Sequence, residues 1–148
     1  MANITIVFGS VSGNAKGVAE QAVTTLTSLG HTTTLAENPT AELLQSDDLD
    51  ALLICTSTTG QGDIPQNLIG LYIDIQDKFP MMSEKHVGVI ALGNSSYSNF
   101  CGAGAKFIEL MQELQAKSLL QLTIDATETR QPKRDAIRFL EEWSEILK

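Results

Sequence analysis

The stretch Ile6–Glu20, IVFGSVSGNAKGVAE, sets Ser10, Ser12, Gly13 and Asn14 between an apolar run and an alanine- and valine-rich helical pattern. The first backbone N–H groups of a helix have no partner within it, and the helix dipole favours negative charge there. Small residues let an anion approach that backbone, and the side chains of Ser10, Ser12 and Asn14 add donors. A phosphate is therefore one reading of Gly9–Ala15. The other is an ordinary capped helix start, because Ser and Asn are common N-caps. The loop holds no charge and the nearest cation is Lys16, so neutral donors would do most of the holding. Spacing excludes two nucleotide motifs. A P-loop needs Gly and Lys where GSVSGNAKG has Asn14 and Ala15, and the pattern G-x-G-x-x-G is absent.

Two further loops carry chemistry-bearing residues. CTSTTGQGDIPQN, Cys55–Asn67, offers Ser57, Thr58 and Thr59, then Gly60-Gln61-Gly62-Asp63. Paired glycines suit a backbone that turns closely around a planar ligand or changes conformation. Taken alone, the stretch reads better as a plain turn in which Asp63 caps a helix before Pro65. LGNSSYSNFCG, Leu92–Gly102, offers Gly93, Asn94, Tyr97, Phe100 and Cys101. Two aromatics stand out in a chain that is 5 % aromatic. A tyrosine in a polar loop can present a flat face to a ring, or pack over a helix start.

The elements that would position these loops alternate regularly. Strands are predicted at 3–8, 31–36, 51–56, 86–92 and 119–124. The second is threonine-rich and suits an edge. Helices are predicted at 14–29, 65–78, 103–117 and 132–147, with at most a short one at 41–46. Val18, Ala22, Leu26 and Leu29 form the first helical stripe, with Gly30 as its stop. Leu68, Leu71, Tyr72 and Ile75 form the second. Phe107, Leu110, Met111 and Leu114 form the third, and Ile137, Leu140, Trp143 and Leu147 the fourth. ALLICT and HVGVIAL are continuous apolar runs, the mark of strands covered on both faces. The pattern is that of a doubly wound α/β parallel sheet with helices on both faces. Ligands in such sheets bind beyond the carboxyl ends of the strands. All three loops fall there. One offers an anion site, one a glycine-rich wall and one an aromatic plate, which together suit a phosphorylated, planar, aromatic cofactor.

Bulk properties narrow the classes. The 148 residues fit a single domain, 1–148, large enough for a core. The apolar fraction is 43 % and the charged fraction 19 %, as in an ordinary globule. A net charge of −8 argues against a nucleic-acid binder and suits docking on a basic protein, or serves solubility alone. No secretory pattern opens the chain, and no apolar run reaches the roughly 20 residues of a membrane span. Cys55 and Cys101 form no disulfide framework and no metal spacing. Cytoplasm is the default expectation, with no metal and no membrane. Cys55 reads as a small core residue. There is no G-x-S-x-G, and only His31 and His86 could act as bases. His86 opens a buried strand and reads as structural, so a hydrolase is poorly supported.

With these loops in order, the chain resembles the short-chain flavodoxins, most of all the flavodoxin-like proteins of the MioC/YqcA type. The FMN domain of diflavin reductases is a more distant relative. FGSVSGN matches the phosphate loop, STTGQGDIPQN the second flavin loop and ALGNSSYSNFCG the third. The resemblance runs from Ile4 to Trp143. It implies strand order 2-1-3-4-5 and noncovalent FMN. Carried over by position, it implies that Ser10, Val11, Ser12, Gly13, Asn14 and Ala15 cradle the phosphate. Ser57, Thr58, Thr59 and Gly60 would line one side of the flavin. Leu92, Gly93 and Asn94 would meet its pyrimidine edge. Tyr97 would stack on the ring, with Phe100 and Cys101 closing the loop. Asp125 matches an acidic position beside the site in the diflavin relatives.

The resemblance further implies a low-potential one-electron carrier, a monomer, docking a flavodoxin reductase-type donor and redox acceptor proteins on its acidic FMN edge. Asp63, Asp74 and Asp77 are candidates for that face. The Gly60 peptide would turn its carbonyl toward flavin N5 when the flavin takes up an electron. Two positions depart from the family pattern. Ala15 stands where threonine is usual, and Thr59 where many relatives have an aromatic. One hydrogen bond to a charged group is worth about 1.5–3 kcal/mol, or about tenfold to a hundredfold in affinity. Both departures point to weaker FMN binding and a partly apo protein. Two other readings stand beside the carrier. One is a module of the same fold with weak or no FMN, acting through protein contacts. The other is a flavin-dependent reductase, for which 148 residues leave little room for a nicotinamide site.

Overall fold

The computed structural model describes residues 2–9, 14–37, 39–58, 63–93, 101–125 and 132–147. Five strands alternate with helices: β1 (Asn3–Gly9), α1 (Asn14–Ser28), β2 (Thr32–Ala36), β3 (Ala51–Thr56), α2 (Gln66–Lys78), β4 (His86–Gly93), α3 (Gly102–Glu113), β5 (Ser118–Asp125) and α4 (Pro132–Ile146), with a 3₁₀ turn at Ala41–Gln45. The strands form one parallel sheet in the order β2-β1-β3-β4-β5. This is the order the resemblance implied, and the threonine-rich β2 lies at an edge.

Burial explains the arrangement. Every residue of β3 is buried, as a central strand covered on both faces requires. One face of the sheet packs Ile4, Ile6, Leu53, Cys55 and Ile90 with Val18 and Leu26 of α1 and Leu140 and Trp143 of α4. The other packs Val7, Leu52, Ile54 and Val89 with Leu68, Leu71 and Ile75 of α2 and Phe107, Leu110 and Met111 of α3. Tyr72 and Phe107 meet edge to face across α2 and α3, centroids 5.3 Å apart.

The boundaries differ from the expected ones where polar contacts decide them. α1 ends at Ser28, and Gly30 turns the chain at φ 96°. Leu29 is 40 % exposed and drops out of the expected stripe. α3 stops at Glu113 rather than Lys117, because Gln115 adopts a left-handed φ of 61°. The Met82 N–H bonds the Leu114 carbonyl at 2.9 Å, and the Lys117 N–H bonds Lys85 O at 2.8 Å, drawing the chain into β5. Lys85 is buried, and its ammonium donates to the carbonyls of Leu44 and Ser46, tethering the 3₁₀ turn to the start of β4.

Candidate functional site

A parallel sheet brings all its carboxyl ends to one edge. Gly9 pairs with Thr56, Thr56 with Ala91, and Gly93 with Asp125. The chain leaves β1 toward β2 on one side and β3 continues on the other, so the switch point lies between β1 and β3. There the Ser57 N–H bonds the Gly9 carbonyl at 2.9 Å, extending the β1–β3 pairing into the second loop.

Gly9 is buried, and a Cβ built on it would lie 2.7 Å from Leu68 Cγ and Cδ1. The end of β1 thus has to be glycine for α2 to close over it. Asn67 Nδ2 donates to the Phe8 carbonyl at 3.1 Å and fixes the start of α2 to the same strand end. α1 begins at Asn14, just beyond that point, with no acidic residue in its first turn. α3 likewise begins at this edge without one. A helix N-terminus whose first turn carries no carboxylate of its own favours an anion. Ala15 is fully buried in the core with Val18 and Ala19. The missing hydroxyl is therefore accompanied by a methyl that packs inward.

The second and third loops are pinned at their described ends. Thr56 Oγ1 donates to the Ser57 carbonyl at 2.8 Å. Thr58 Oγ1 accepts from the Ala103 N–H at 3.4 Å, joining the second loop to the first turn of α3. Asp63 does not cap α2, whose N-cap is Pro65 without a side-chain bond. It pairs instead with Lys106 of α3 at 3.7 Å. Leu92 is buried and Gly93 half-buried at the end of β4. Cys101 holds a left-handed backbone, φ 55° and ψ 29°, at the N-cap of α3, and its thiol donates to the Ala91 carbonyl at 3.6 Å. Burial, with the Asp125 carboxylate adding to it, pushes that thiol up to about 11. Asp125 thus lies within electrostatic reach of the third loop's base.

Of the expected site residues, the described ones are Asn14, Ala15, Ser57, Thr58, Leu92, Gly93 and Cys101, and the sheet brings all of them to its carboxyl edge. Ser10, Val11, Ser12, Gly13, Thr59, Gly60, Asn94, Tyr97 and Phe100 lie outside the described residues. The sequence marked Leu68 only as a helix-stripe residue and did not single out Asn67 or Lys106; their roles here depend on contacts between distant segments. The two histidines sit at the amino ends of strands. His31 Nδ1 accepts from the Ala2 N–H at 3.0 Å, so its other nitrogen carries the proton and faces Ser144 Oγ at 2.6 Å. His86 Nδ1 lies 2.7 Å from Ser118 Oγ, and burial holds its pKa below the usual value. Both are structural, as expected for His86. Cys55 is fully buried in the core, and burial raises its thiol far above the usual range. No cluster of potential metal ligands occurs among the described residues. No helix among them is long and apolar enough to cross a membrane.

Sheet order and edge define the class: a doubly wound α/β protein whose ligand edge gathers the N-termini of α1 and α3 around a switch point. Comparisons with known proteins carry this further. The family model described as Flavodoxin matches residues 6–139. The chain is 40 % identical to Flavodoxin YqcA of Escherichia coli K12, covering 99 % of each. It is 34 % identical to Protein MioC of the same strain over the full length of both. The solved structure of a C101A mutant of a flavodoxin from Pseudomonas aeruginosa superimposes with a TM-score of 0.90 at 37 % identity, covering 98 % of each chain. The chain belongs to the flavodoxin family.

Proposed function

We propose that the protein binds FMN noncovalently at the carboxyl edge of its sheet and carries single electrons between a reductase-type donor and redox acceptor proteins. The observation that carries this reading is the carboxylate-free start of α1 directly beyond the β1 end, at the switch point. It suits the phosphate of a flavin mononucleotide, and family membership supplies the flavin. Residues 10–14 would hold the phosphate through backbone N–H groups and hydroxyls, with Ala15 packing beneath them. Ser57, Thr58, Thr59 and Gly60 would line one side of the ring. Leu92, Gly93 and Asn94 would meet its polar edge, and Tyr97 would cover its face, with Phe100 and Cys101 closing the loop.

FMN, when bound, supplies the redox chemistry. The protein's own part is binding, orientation and electrostatics. The Thr58–Ala103 and Asp63–Lys106 contacts hold the second loop against α3, so the two walls of the site are built together. The neutral, protonated Cys101 thiol would add no negative charge to the cofactor edge. The net charge of −8 would oppose further negative charge on the bound flavin, which suits a low potential. It also favours basic partner proteins. This is an electron-transfer role rather than turnover of a substrate.

Equilibrium binding of FMN and riboflavin to cofactor-stripped protein tests the anion site. FMN is expected to bind at least about tenfold more tightly, the share of a charge-assisted hydrogen bond. Equal affinities would remove the phosphate from the α1 terminus.

A further inference from the structure

α3 begins without a cap of its own. Its N-cap residue, Cys101, stands in a left-handed conformation and makes no side-chain bond to the helix. A capping oxygen normally belongs to the N-cap side chain and accepts the N–H of the second or third helical residue. Here Ala103, the second residue of α3, donates instead to Thr58 Oγ1 at 3.4 Å, across a sequence separation of 45 residues. The cap is supplied by another loop.

The first turn of α3 is a fixed frame. A Cβ built on Gly104 would lie 2.4 Å from Ala91 Cβ, so the helix backbone is pressed onto β4. The Cys101 thiol bonds the Ala91 carbonyl of the same strand. The second loop meets this frame twice, through Thr58 at Ala103 and through Asp63 at Lys106. Helical residues three apart are neighbours on one face, so both contacts fall on one side of α3. Between Thr58 and Asp63 in the chain lies Thr59-Gly60-Gln61-Gly62. That glycine-bearing segment is flanked by two tethers to one helical turn. The tethers are unequal. The Asp63 and Lys106 side chains are 66 % and 45 % exposed, and exposed ion pairs hold weakly. Thr58 is half-buried and satisfies a backbone donor that the helix leaves open.

We propose that Thr58 is a positioning residue: its hydroxyl caps α3 in place of the missing N-cap side chain and so fixes the glycine-bearing loop for the flavin. The effect runs through α3 and not through the ring that Thr58 would line. Serine would serve in the same way, whereas valine, of the same shape, would not. A loop held beforehand does not have to be ordered when the flavin binds or takes up an electron. The inference rests on the carrier reading above.

The test compares Thr58→Val, which loses the oxygen, with Thr58→Ser, which keeps it, and with Ala103→Pro, which removes a first-turn donor that the helix itself does not use. Amide exchange of Ala103 is read by NMR with and without FMN, FMN binding by fluorescence titration, and the share of protein holding a single electron by anaerobic reduction. Expected for Thr58→Val is faster Ala103 exchange in both states, FMN binding weaker by about fivefold, the usual loss for an N-cap, and a smaller single-electron share. Thr58→Ser should restore all three. Thr58→Val added to Ala103→Pro should weaken binding no further. Should Ala103→Pro fail to fold, Thr58→Val against Thr58→Ser decides alone. Wild-type Ala103 exchange in Thr58→Val would overturn the cap. Faster exchange with wild-type affinity and single-electron share would confine Thr58 to the stability of α3 and overturn the positioning role. An equal loss of affinity on both Ala103 backgrounds would place the effect at the ring and overturn it as well. Wild-type protein that takes up no FMN would overturn the carrier reading and the positioning role with it, while Ala103 exchange in the flavin-free protein still decides the cap.

Discussion

Cys101 illustrates how a thiol at the carboxyl edge of a sheet can serve structure without reacting. It turns the chain through a left-handed conformation into α3 and spends its S–H on the Ala91 carbonyl. Its folded pKa, about 11, lies above the reference value of 9.0. A group raised in this way contributes stability in full below the unfolded value and loses it as pH rises from about 9 toward about 11. The protonated thiol is also a poor nucleophile. Iodoacetamide at pH 8 is therefore expected to label neither Cys101 nor Cys55 in the folded protein and both in urea, read by mass spectrometry. Rapid modification of Cys101 in the folded state would contradict a buried, neutral thiol. The departures from the family pattern also belong to this scale. Thr59 lies outside the described residues, whereas the Ala15 methyl is part of the core, so the position is occupied by packing rather than left open.

At the scale of elements, the contact between β1 and α2 organises the site. Gly9 lets Leu68 close over the strand end, and Asn67 ties the helix to Phe8. Gly9→Ala would drive a methyl into Leu68, and overpacking of this kind costs about 1–3 kcal/mol. The urea midpoint should fall accordingly and FMN affinity should fall with it; an unchanged midpoint would contradict the close approach. Most elements were legible in the sequence because apolar periodicity encodes them. ALLICT could only be a strand covered on both faces, and the α3 stripe from Phe107 to Leu114 is buried as read. What escaped was set by contacts between distant segments. The end of α3 depends on Met82 and Lys85 meeting Leu114 and Lys117, and nothing local to 114–117 announces it. Asp63 read as a cap from its distance to Pro65, but Lys106 lies 43 residues further along and takes the carboxylate. The carboxyl edge of the candidate site was legible as the place where loops follow strands, which is a property of order alone. The pinning of those loops by Thr58 and Ala103 was not, because one hydroxyl in a run of hydroxyls carries no mark of its partner.

The whole molecule combines an acidic surface, a sheet packed on both faces and one edge reserved for a ligand. A cofactor that binds only the folded state stabilises it by mass action, by about 2.7 kcal/mol at a hundredfold excess over Kd. Folding and loading are thus linked, and a protein purified without flavin should still be folded, because both core clusters are complete without it. The central claim is that this folded edge holds FMN. The most direct measurement is a fluorescence titration of cofactor-stripped protein with FMN, followed by stepwise anaerobic reduction of the complex. Strong quenching with a dissociation constant in the low micromolar range or below, and uptake of electrons in two resolved single-electron stages, is the predicted result. Flavin fluorescence that stays unquenched at every FMN concentration, with the protein folded, would contradict the account and leave the fold acting through protein contacts alone.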